Sequence, residues 1–151
     1  MKEPKRAVNL WRLDVMIHVL AAIVMVIVVV GNMHFMTVDY PSMGMLPVIT
    51  TVKYDARAIW ITYLIPCTMA AILFLRAVPA LKKYRRIMWL VNVVLYGIVI
   101  VVIGISPGLA VIQPVLAGVP SLNEFGAGGI LSLVVSAVLL SSSALQLALD
   151  R

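Results

Sequence analysis

The chain has 151 residues, of which 63% are apolar and only 12% charged, with a formal net charge of +6. Ordinary soluble domains carry about 25% charged residues. A soluble fold of this size cannot hide so much apolar surface, so lipid is the expected solvent for much of it. The positive charge gathers in two clusters at the ends of apolar segments, which excludes the spread basic face that nucleic-acid binding needs and reads as membrane topology.

The N-terminus, Met1 to Arg12, is basic, as in a signal peptide. The apolar run behind it is as long as a membrane span, beyond an h-region of about 7–15 residues, and no small-x-small site follows, so an uncleaved first span is expected from Asp14 to about Met36. Asp14 and His18, four apart, share one helical face near the boundary. Ionisable groups are costly in a bilayer, which makes the pair a candidate proton relay, or a carboxylate orienting a cofactor-binding imidazole. Beside Trp11 and Arg12, the same pair also fits an interfacial anchor at headgroup level.

The exit of this span brings Met33, His34 and Met36 near Met43 and Met45, across the turn signal Asp39-Tyr40-Pro41-Ser42. Thioether and imidazole donors suit Cu(I) better than zinc. Methionine is equally an ordinary apolar filler. Val48 to Val52 is β-prone and reads as a short strand or hairpin arm, and Asp55 stands where it can N-cap the second helix.

The second span is expected over about 58–78, kinked at Pro66, with the lone Cys67 as a small buried hydrophobe. The third runs over about 87–105 and the fourth over about 129–149. The connection between the third and fourth has no basic residue and is broken by Pro107, Pro114 and Pro120. Within it, Ser121-Leu122-Asn123-Glu124 has capping-box spacing, so the fourth helix is expected to start near Leu122. Gly128, Ser132 and Ser136 recur every fourth residue, a spacing that lets helix backbones approach in lipid, with Gly97 and Gly104 as the expected partner groove.

Lys2, Lys5, Arg6 and Arg12 precede the first span, and Arg76, Lys82, Lys83, Arg85 and Arg86 surround the second connection. The positive-inside rule then puts both termini in the cytoplasm. The expected fold is an all-α, single-domain bundle of four antiparallel transmembrane helices, multi-pass in a prokaryote-like plasma membrane.

For function, catalytic motifs are lacking: there is no Gly-rich phosphate loop, no Gly-x-Ser-x-Gly and no His-Glu-x-x-His. Mid-span positions are nearly all apolar, so an enzyme working alone is not expected. No resident cofactor is expected either. Cu(I) at the Met/His cluster and haem b are the two that these residues would allow. Two histidines on one helix, about 24 Å apart at 1.5 Å per residue, cannot share an iron, so haem would need Met69, Met88 or another chain as its second ligand. The leading expectation is a non-catalytic subunit or accessory protein of a larger, respiratory or redox membrane complex, with lipid and other membrane subunits as partners. Extracytoplasmic Cu(I) handling and oligomeric proton or small-ion translocation are the rivals.

Overall fold

The computed structural model describes residues 5–41, 49–78, 84–112 and 120–149. Four helices carry most of the chain: α1 (Lys5–Val30), α2 (Ile61–Ala77), α3 (Arg85–Ile105) and α4 (Ala127–Leu149). Three of them, α1, α3 and α4, are long and apolar enough to cross a membrane, whereas α2 is apolar but only 17 residues long, with Pro66 inside it. Helix α1 packs against α2 and α4, α4 packs most extensively against α3, and α2 touches α3 only lightly.

Each helix buries one stripe at spacings of three and four residues. Asp14, His18, Ala21, Met25 and Val28 form it on α1, and Ile61, Ile65, Met69 and Ile72 on α2. On α3 it is Trp89, Asn92, Tyr96, Val99 and Ile103. On α4, Ser132, Val135, Ser136, Leu139, Ser143 and Gln146 face inward. The remaining faces are apolar and outward, Leu20, Ile27, Phe74 and Val101 among them. Cys67, expected inside, lies on the exposed face of α2.

The all-α expectation needs correcting. A three-stranded antiparallel sheet of order β2-β1-β3 caps one end of the helices, with β1 (His34–Pro41) central, β2 (Ile49–Asp55) on one side and β3 (Ser121–Phe125) on the other. The first helix does not reach Met36. It stops at Val30, where Gly31 and Asn32 turn the chain and Asn32 adopts φ 45, the left-handed region that asparagine tolerates. The β-prone 48–52 run does become part of a strand, β2, from Ile49. Ser121–Glu124 is not a capping box. It is strand β3, with Thr37 opposite Glu124 and Asp39 opposite Ser121, because β1 supplies backbone partners that a helical turn there would forgo. Helix α4 starts five residues later than Leu122, at Ala127.

The sheet is braced on the helix ends. The Arg57 guanidinium donates to the Val29 carbonyl at 3.2 Å and the Val30 carbonyl at 2.9 Å, a cation capping the negative end of α1. Gly126 and Gly129 let the start of α4 pass directly against His34 and Phe35; a Cβ on either would collide with the β1 backbone. Trp60 and Ile112 donate backbone hydrogen bonds to Ala110 and Ala58, at 3.1 and 2.8 Å, which ties the start of α2 to the exit of α3.

Candidate functional site

Two groups of polar residues stand out, one between the helices and one on the sheet. Between the helices, Asp14 and His18 are both fully buried. Both side chains turn into the bundle. The His18 Nδ1–H donates to the Asp14 backbone oxygen at 2.9 Å and lies 3.4 Å from Asp14 Oδ1, while the Ser142 hydroxyl of α4 reaches the same Oδ1 at 3.4 Å. With Nδ1 committed as a donor, the neutral ring presents Nε2 as an acceptor.

Their depth is set by helix rise. At 1.5 Å per residue, His18 lies about 18 Å from the sheet-side end of α1 and Asn92 about 20 Å from that of α3. On α4, Ser136 and Ser143 lie about 14 and 24 Å from the sheet-side end. His18, Asn92, Ser143 and Gln146 form a polar layer toward the end of the bundle away from the sheet, with Ser136 on its sheet-facing side. The sheet-side half is filled instead by Met25, Val28, Ile65, Met69, Val99 and Ile103, all buried. The layer contains buried atoms with no hydrogen-bond partner among the described residues: His18 Nε2, both amide atoms of Asn92, and the hydroxyls of Ser136 and Ser143. Each such group costs about 1–3 kcal/mol when left unsatisfied.

On the sheet, His34 opens β1 rather than ending a long helix. Its Nδ1 lies 3.7 Å from Asp55 Oδ1, and Nε2 lies 3.3 Å from the Thr37 hydroxyl, which itself donates to Glu124 Oε1 at 3.1 Å. Asp55 thus spends its carboxylate on His34 and, at 3.5 Å, on the Asn32 amide; it makes no side-chain cap to the turn that follows it. Carboxylate, imidazole and hydroxyl in this order resemble a hydrolytic triad. Yet Thr37 is only 2% exposed and its proton goes to Glu124, so it offers no accessible nucleophile. The chain of contacts instead links β2, β1 and β3 side by side.

The methionine cluster does not converge among the described residues. Met36 is fully buried in the core, opposite Tyr54 and Phe125, and Met33 packs against that core. Met43 and Met45 lie outside the described residues. No group of three or more His, Cys, Asp or Glu side chains is placed to hold a metal among the described residues. For haem, the ring nitrogen with an open lone pair, His18 Nε2, is sealed between helices that a macrocycle would have to part.

The small-residue seam is used in part. Ser132 and Ser136 are buried, Ser132 donating to the Gly128 carbonyl at 2.8 Å, and Gly128 itself sits against Met33 and His34 of the sheet connection. Gly97 and Gly104 form no close groove, since a Cβ on either meets nothing within 4 Å. Asn92 and Arg57 carry more than their sequence context suggested. Asn92 falls on the same stripe as Trp89 and Tyr96, a periodicity that placed it inward; Arg57 caps the end of α1. No protein-family model matches the chain, and comparison with curated proteins and with solved structures finds no match.

Proposed function

We propose that this chain is a non-catalytic, four-span subunit or accessory protein of a larger membrane complex of respiratory or redox type. In this reading α2 completes the set of spans, both termini are cytoplasmic, and the sheet stands on the outer surface of a plasma membrane. The observation that carries it is the sheet itself. Two connections far apart in sequence build one platform, braced on the helix ends by Arg57, Gly126 and Gly129. Its outer strands β2 and β3 each pair on one side only among the described residues. Open edges are templates for another chain unless something covers them. The bundle below, by contrast, turns Asp14 and His18 inward and shows lipid an apolar face.

Extraction in mild detergent followed by native mass measurement tests this. Co-purification of a different polypeptide in fixed ratio is the expected result. A lone monomer or a pure homo-oligomer contradicts it.

A second reading, proton or small-ion translocation, draws support from the Asp14–His18–Ser142 contacts inside the bundle. It requires flux in liposomes that Asp14→Asn with His18→Ala abolishes. Unchanged flux in that double variant ends it.

A further inference from the structure

The polar layer contains a specific mismatch. His18 Nε2 is an acceptor because Nδ1 already donates to Asp14. Asn92 brings two amide donor hydrogens and one carbonyl acceptor, and none of these finds a partner among the described residues. Ser143, the neighbour of the serine that touches Asp14, adds a hydroxyl in the same condition. All three side chains are fully enclosed. An acceptor on α1, a donor–acceptor pair on α3 and a hydroxyl on α4, close in depth, need an intermediary that both donates and accepts.

We propose that this layer is an internal water-binding site, in which one or a few water molecules bridge His18 Nε2, the Asn92 amide and the Ser143 hydroxyl. Water is the smallest species with two donors and two acceptor positions, and a buried water makes about three hydrogen bonds to groups of this kind. It donates to Nε2, accepts from the Asn92 amide, and exchanges either role with the serine. The bridge adds α3 to the polar contact that Ser142 already makes between α4 and α1. The apolar side chains on the sheet side, from Met25 to Ile103, close the site in that direction, so its exchange with bulk water runs toward the far end of the helices. The site stands independently of whether the chain has a partner or moves protons.

Radiolytic hydroxyl-radical footprinting of the full chain in nanodiscs, pre-equilibrated with H₂¹⁸O, reads this directly. Trp89 and Tyr96 flank Asn92 on its own helical face at 3% and 1% exposure, and Met25, at 0%, is an equally enclosed and readily oxidised control in the apolar half. The site predicts ¹⁸O incorporation at Trp89 or Tyr96 and none at Met25. No labelling of Trp89 and Tyr96 above Met25 overturns it. A double-mutant cycle supplies the energetic arm, with His18→Leu and Asn92→Leu read by unfolding in mixed micelles. Sharing a bridge, the two substitutions couple, so that Asn92→Leu shifts the unfolding equilibrium by about tenfold less once His18 is gone. Strict additivity, or an Asn92→Leu chain more stable than the wild type, overturns the proposal. If either variant does not fold, the wild-type footprint decides alone.

Discussion

Alanine at two glycines, Gly129 and Gly97, separates the packing of the sheet against α4 from the helix preference that both positions share. At Gly129 a Cβ would strike the Phe35 carbonyl oxygen, with the carbonyl carbon at 3.2 Å and a Phe125 ring carbon at 3.1 Å. The first two are backbone atoms held in the sheet and cannot swing away. At Gly97 a Cβ meets nothing within 4 Å. Both substitutions gain the preference of alanine over glycine in a helix, about 1 kcal/mol. That gain is common to the two, so the difference between them isolates the clash, about 1–3 kcal/mol for overpacking a filled site. Gly97→Ala should therefore be neutral or stabilising by up to about 1 kcal/mol, and Gly129→Ala destabilising. Unfolding by SDS in mixed micelles measures both. If Gly129→Ala proves as stable as Gly97→Ala, the sheet does not lie on the start of α4 as described.

Three further outcomes follow from the contacts. Thr37→Val removes the hydroxyl between His34 and Glu124 while keeping the side chain's shape, and because both former partners reach solvent the loss should be about 1 kcal/mol, measured by the same unfolding titration. The Tyr54 hydroxyl, hydrogen-bonded to Tyr40 at 3.1 Å, titrates above its ordinary value of 10.0, first through burial and then through that bond. Its folded form holds the proton more tightly than the unfolded chain, so this contribution is complete below pH 10.0 and declines as pH rises above it; Tyr54→Phe should flatten that part of the alkaline stability profile. Cys67, on the outward face of α2, should react in intact membranes with a lipid-soluble maleimide and resist a charged one, and equal reaction with both would place α2 in water rather than lipid.

The helices were legible because apolar length is a local property. The third helix, expected over 87–105, spans Arg85–Ile105, and the fourth, expected over 129–149, spans Ala127–Leu149. The first helix was overextended because Met33, Phe35 and Met36 carry the apolar character past Gly31-Asn32, so composition alone marks no sharp boundary. Gly31-Asn32 was the available stop signal, a pair suited to the left-handed turn observed there. Strand β3 was hidden for a different reason. Its partner β1 lies more than eighty residues earlier, and Ser-x-x-Glu spacing satisfies a helix start equally well until that partner is present. The candidate site shows the same division. Asp14 and His18 were visible as a pair at helical spacing, but burial depends on what α4 brings to that face, and Ser142 gave no local sign of reaching Asp14. Of the methionine cluster, Met36 follows the turn at Gly31 into the core, a direction that its nearness in sequence to His34 did not reveal.

A density map of the chain within its native membrane assembly tests the central claim most directly. The account predicts a different polypeptide seated against the outer edge of β2 or β3, with the helices in the bilayer. A sheet facing only solvent, in a chain that is alone or surrounded by its own copies, contradicts it.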